Sequence, residues 1–179
     1  NAGNDTIICF EDTAQLFGIT DGIQFKWTPV NTLLNSNTLN PLAIPLRTTA
    51  YYFYAYDVKG CPKPGIDTVI VTVRPKINAF AGNDTTIVSG QPLQLKGSGA
   101  PLIQWTPPRF LNDPDRSDPI ATLNDNITYT MRAYYPDGCA ALDTIHIRVF
   151  KTAPDIFVPN AFVPAGKNRL LRPIPVGMA

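Results

Sequence analysis

Ala2-Gly3-Asn4-Asp5-Thr6 returns 79 residues later as Ala81-Gly82-Asn83-Asp84-Thr85. That return decides how the rest of the chain is read. Trp27-Thr28-Pro29 is matched by Trp105-Thr106-Pro107, and Gly60-Cys61 by Gly138-Cys139, each 78 residues on. Asp67-Thr68 is matched by Asp143-Thr144 at a spacing of 76, so small deletions accumulate toward the end of the copy. A period near 78 is too long for a short solenoid repeat and fits one small domain per copy. The boundaries implied are 1–75 and 76–153 for the two copies, with a further segment at 154–179. Residue 1 falls on a repeat start, which reads as a piece of a longer polypeptide.

Each copy carries short runs of alternating apolar character separated by turn residues. In the first copy, Thr6 to Phe10 and Ala14 to Phe17 read as strands. Ile23, Phe25 and Trp27 then alternate with Gln24 and Lys26, the period-2 pattern of a strand with one buried face. Tyr51 to Val58, dense in aromatic residues, is the strongest strand, and Asp67 to Val73 closes the copy. The second copy repeats the plan at Thr86 to Val88, Leu93 to Leu95, Leu102 to Trp105, Tyr129 to Tyr135 and Thr144 to Val149. With 18 prolines and 12 glycines among these runs, the fold class expected is all-β. Two tandem antiparallel sandwiches of immunoglobulin type, with Trp27 and Trp105 in their cores, bury such strands without helices.

Charge gives no lead to a partner. A formal charge of +1 with no clustered Lys or Arg lacks the electrostatic footprint of a nucleic-acid binder. Catalytic equipment is sparse, and no catalytic residue is assigned. The single histidine, His146, lies between Ile145 and Ile147 and by alternation points to solvent, while Glu11 is the sole glutamate and sits in a turn. No nucleophile elbow, phosphate-cradling glycine loop or zinc-ligand spacing occurs. Neither a cofactor nor a metal is expected. Asp113, Asp115 and Asp118 do gather three carboxylates in one loop, a weak candidate Ca²⁺ site; Arg116 neutralises part of that charge, and the equivalent loop of copy one has no acid.

Comparison of the copies isolates one surface feature. Tyr51, Phe53 and Ala55 correspond to Tyr129, Met131 and Ala133, a core face. Tyr52, Tyr54 and Tyr56 correspond to Thr130, Arg132 and Tyr134 on the outer face. The first copy therefore presents a stripe of three tyrosines, whose flat apolar rings and polar tips suit recognition of a glycan or protein surface. The plainer reading is cross-strand packing on the sheet surface.

The series Ala-Gly-Asn-Asp-Thr, Gln-Leu-x-Gly (Gln15 to Gly18, Gln94 to Gly97), Trp-Thr-Pro, a Tyr-led strand, Gly-Cys and Asp-Thr resembles the PKD-like and immunoglobulin-like modules of large Bacteroidetes surface proteins. After it, Ile156-Phe157-Val158-Pro159-Asn160-Ala161-Phe162-Val163-Pro164 and Arg172-Pro173-Ile174 resemble the opening of the gliding-motility-associated C-terminal domain. That domain is the type B sorting signal of the type IX secretion system. Pro159, Asn160, Ala161, Phe162 and Pro164 would form its motif, although the family's acidic loop is replaced by Pro164-Ala165-Gly166-Lys167-Asn168-Arg169.

The resemblance implies a secreted, outer-membrane-associated stalk or adhesin module. Its partner would be the type IX secretion and attachment machinery, including an outer-membrane protein of the PorP/SprF type. Accessory or carbohydrate-binding domains of a secreted multidomain hydrolase are the alternative. Passage through an oxidising compartment implies a Cys9–Cys61 disulfide with Cys139 left over; three reduced cysteines are the other reading. The Asp-Thr pairs resemble the O-glycosylation motif of exported proteins of these bacteria, which would place sugar on Thr6, Thr13, Thr68, Thr85 and Thr144. Ordinary turn-to-strand chemistry accounts for the same pairs.

Overall fold

A computed structural model of the chain describes residues 1–57, 63–151, 155–157 and 174–176. Among them every regular element is a β-strand. The first copy contributes β1 (Thr6–Ile8), β2 (Ala14–Gln15), β3 (Gln24–Thr28), β4 (Leu33–Leu34), β5 (Leu42–Ala43), β6 (Thr49–Tyr56) and β7 (Gly65–Val73). These form a four-stranded sheet of order β1-β7-β6-β3 and a three-stranded sheet of order β2-β5-β4. The second copy contributes β8 (Thr85–Val88), β9 (Pro92–Gln94), β10 (Leu102–Thr106), β11 (Ile120–Thr122), β12 (Ile127–Tyr134) and β13 (Ala140–Phe150). Their sheets run β10-β12-β13-β8 and β11-β9. Beyond them, β14 (Asp155–Phe157) and β15 (Ile174–Val176) pair antiparallel. The chain is thus a tandem of immunoglobulin-like β-sandwiches.

Alternation along the strands sets each core. On β6, Tyr51 and Phe53 are almost fully buried while Tyr52 is 42% exposed. Trp27, at 0% exposure, meets Phe53 with ring centroids 4.7 Å apart. In the second copy Trp105 and Tyr129 meet edge to face at 6.5 Å, with Met131 and Ala133 buried beside them. The glycine of each Gln-Leu-x-Gly run has a packing reason. A Cβ on Gly18 would lie 2.8 Å from the Phe53 ring, and one on Gly97 would lie 2.9 Å from the Trp105 ring. Both tryptophans are followed by a cis Thr-Pro peptide, Thr28-Pro29 and Thr106-Pro107.

The repeated Ala-Gly-Asn-Asp-Thr and Asp-Thr motifs prove to be two halves of one device. Asp67 accepts a hydrogen bond from the backbone N–H of Ala2 through Oδ2, and Asp143 does the same for Ala81, each at 2.8 Å. In return Asp5 accepts the N–H of Ile70 and Asp84 that of His146, again at 2.8 Å. These bonds flank the parallel pairings of β1 with β7 and β8 with β13, where Thr6 faces Val71 and Thr85 faces Ile147. Gly3 and Gly82 take φ of 85° and 95°, a backbone region in which a side chain is strained.

The copies differ in how their tryptophans are satisfied. Trp105 Nε1 donates to the Arg116 carbonyl at 2.9 Å. Trp27 Nε1 is buried with no hydrogen-bond partner among the described residues, a state that costs about 1–3 kcal/mol of desolvation.

The Cys9–Cys61 pairing expected from sequence is corrected: Cys9 is bonded to Cys139, with Cα atoms 5.4 Å apart and 130 residues between them in sequence. A sulfur in one disulfide is closed to a second, and Cys61 itself lies outside the described residues. The reason is in the chain path. One compact unit comprises Asn1–Asn78 together with Tyr134–Ala141; the other comprises Ala79–Ala133 and Leu142–Ala179. The Tyr134–Ala141 stretch, second-copy by sequence, thus belongs to the first unit. Arg74 pairs there with Asp137 and lies over the Tyr135 ring.

Two outcomes are expected. Peptide mapping of the non-reduced protein should recover Cys9 and Cys139 in one cross-linked pair, whereas a Cys9–Cys61 pair would contradict this structure. In chemical denaturation, Trp105→Phe should cost about 1 kcal/mol more than Trp27→Phe, because only Trp105 loses a made hydrogen bond. Equal losses would remove that explanation.

Candidate functional site

The tyrosine stripe lies on an exposed sheet face beside an edge. β6 runs antiparallel to β3, the last strand of its sheet, so that Tyr52 faces Thr28, Tyr54 faces Lys26 and Tyr56 faces Gln24. On the other side β7 sets Thr68 against Tyr52 and Ile66 against Tyr54. Directly opposed residues share a face of the sheet. The surface therefore comprises three phenol rings bordered by hydroxyl, ammonium and amide groups on the edge strand. Lys26 and Gln24 are exposed, and Tyr56 is 36% exposed.

This surface can offer rings for stacking against the apolar face of a sugar or a partner side chain, with polar tips for hydrogen bonding. The flanking Gln24, Lys26 and Thr28 were not singled out from sequence. The signal was present in the alternation of β3, whose polar positions had to point away from Trp27.

The acidic loop does not converge its carboxylates. Asp113 Oδ1 accepts the N–H of Asp115 at 3.1 Å, Asp115 Oδ1 accepts from Gln104 Nε2 at 3.1 Å, and Asp118 pairs with Arg116 at 3.0 Å. Each is engaged separately, and among the described residues no three His, Cys, Asp or Glu side chains are grouped to hold a metal.

Of the Asp-Thr threonines, Thr13, Thr68 and Thr144 are exposed, while Thr6 and Thr85 are half-buried. Four of the five partner aspartates, Asp5, Asp67, Asp84 and Asp143, carry the cross-strand bonds described above, so these pairs have a structural task apart from any sugar. The sorting-motif residues Pro159, Asn160, Ala161, Phe162 and Pro164 lie outside the described residues. His146 is exposed, its Nδ1 2.7 Å from Thr128 Oγ1.

No protein-family model matches the chain, and no curated protein matches it in sequence. Solved structures do. The insect immune protein hemolin, whose domain arrangement was described for its implications for homophilic adhesion, matches 84% of this chain with a TM-score of 0.50 and 15% identity. The chain spans 46% of hemolin's length. The Ig1+Ig2 structure of DIP-gamma matches 82% of this chain and 93% of its own, with a TM-score of 0.47 and 11% identity. At such identities the hemolin likeness is one of fold, and what it establishes is that this chain is built from immunoglobulin-like sandwich domains.

Proposed function

We propose that this chain is a non-enzymatic module of a secreted, cell-surface protein, in which tandem sandwiches form a stalk and the first presents an adhesive face. The observation that carries this reading is the contrast between copies. They share the core tryptophans, the packed glycines and the aspartate clamps, yet Tyr52 and Tyr54 are replaced in the second copy by Thr130 and Arg132, and Tyr56 alone is kept, as Tyr134. A fold needs its core repeated; it does not need an exposed aromatic stripe on an edge-flanked face. Its ligand on this reading is a glycan or protein surface on another cell or substratum.

The export route rests on the sequence from Ile156 to Pro164, read as the start of a type B sorting domain occupying 154–179. That segment would be taken up by the type IX secretion machinery and delivered to an outer-membrane partner of the PorP/SprF type. On this reading the repeats, bounded at 1–75 and 76–153, space the presented face from the membrane. The exposed Thr13, Thr68 and Thr144 are the sites best placed for O-glycosylation.

Beads coated with the full chain are expected to adhere to bacterial cell-envelope preparations. Tyr54→Ala should lower adhesion at least tenfold with an unchanged unfolding midpoint. Unchanged adhesion in this variant would count against the tyrosine face.

A further inference from the structure

The second unit has an open groove of about 800 Å³ across β8, β12 and β13, lined by residues that include Thr86, Thr128, His146 and Arg148. The sheet geometry brings these four together. Arg148 and His146 are two apart on β13, so they share its outer face, while Ile145 and Ile147 between and beside them are buried at 4% and 1%. Thr86 on β8 is the register partner of Arg148. Thr128 on β12 lies 2.7 Å from the His146 ring nitrogen. All four side chains are exposed.

The first copy shows that the fold does not ask for them. At the equivalent positions it has Ile7 for Thr86, Ala50 for Thr128, Ile70 for His146 and Thr72 for Arg148. Ile7 and Ile70 stand 50% and 39% exposed there, so apolar side chains are tolerated on this face. Four neighbouring positions from three strands therefore change together, toward hydroxyl, imidazole and guanidinium groups.

We propose that this groove binds an acidic polysaccharide, with Arg148 taking an oxyanion substituent. A guanidinium offers a planar fork of N–H donors that matches the two oxygens of a carboxylate or the oxygens of a sulfate ester. Thr86, Thr128 and His146 supply donors and acceptors for the sugar hydroxyls that surround such a group.

Asp84, which also lines the groove, keeps its negative charge while its Oδ1 accepts the backbone N–H of His146, so recognition rests on the Arg148 fork and the surrounding donors rather than on a net positive field. Asp125 is matched by Lys151 at 2.6 Å. The site is separate from the tyrosine face of the first unit and does not depend on it.

The test is calorimetric titration of the full chain with polygalacturonate, dextran sulfate and neutral dextran. Binding to at least one acidic polymer and none to dextran is expected, and the two acidic arms separate carboxylate from sulfate recognition. Arg148→Gln and His146→Gln should each weaken binding at least tenfold with unchanged thermal midpoints, while Arg109→Gln, an exposed arginine outside the groove, should leave it unchanged. Failure to bind either acidic polymer overturns the proposal. So does equal binding of dextran, or an Arg109→Gln loss as large as that of Arg148→Gln, which would reduce the effect to general charge attraction.

Discussion

The parallel strand at the edge of each large sheet is held by carboxylates. Asp67 reaches across to the backbone of Ala2, and Asp5 reaches back to Ile70; Asp143 with Ala81 and Asp84 with His146 repeat the arrangement at the same 2.8 Å. β1 is only three residues long and β8 four. A ladder that short supplies few bonds, and a charge-assisted bond to a carboxylate is stronger than a neutral one. The clamps thus fix where each copy begins and which face of its first strand turns inward, placing Ile8 and Ile87 in their cores. For Asp67, the N–H groups of Ala2 and Thr68 hold the carboxyl below its ordinary value. Its contribution is therefore present above the ordinary carboxylate range near pH 4 and is lost as pH falls through the lowered value.

With cores and clamps shared, the variable positions fall on the outer faces. The first unit carries aromatic rings beside an edge strand; the second carries a guanidinium, an imidazole and hydroxyls in a groove. Two copies of one scaffold have thus come to present two chemically different surfaces. The disulfide is a third difference, since copy two has Val88 where copy one has Cys9. In the first copy that position receives Cys139, brought by a stretch that packs within the first unit.

Much of this fold was legible in the sequence because duplication supplied two readings of most elements. The inward turn of Phe25 and Trp27 and the burial of Tyr51 and Phe53 follow directly from period 2, whereas Ile23, expected on the same buried face, stands 62% exposed because it falls before β3 begins at Gln24. The partner of Cys9 was not legible. Pairing within a copy is the natural assumption for a repeat, and nothing in the spacing shows that Tyr134–Ala141 packs with the other copy's residues. Each Asp-Thr pair on its own has the form of turn chemistry or of a glycosylation signal. Their reciprocity with Ala-Gly-Asn-Asp-Thr appears only when strands 65 residues apart are brought side by side. The groove of the second unit was hidden for a similar reason. His146 alone is an unremarkable surface residue, and only the register of three strands places Thr86, Thr128 and Arg148 around it.

Amide hydrogen exchange on Asp67→Ala, Asp143→Ala and Asp12→Ala tests the clamp most directly. Asp12 belongs to the same kind of Asp-Thr pair, but its carboxylate accepts from the N–H of its own neighbour Thr13 rather than from a facing strand. The clamp account predicts that β1 amides in Asp67→Ala and β8 amides in Asp143→Ala lose at least tenfold in protection, while Asp12→Ala leaves both strands as they were. Equal effects from all three substitutions, or none from any, would contradict it.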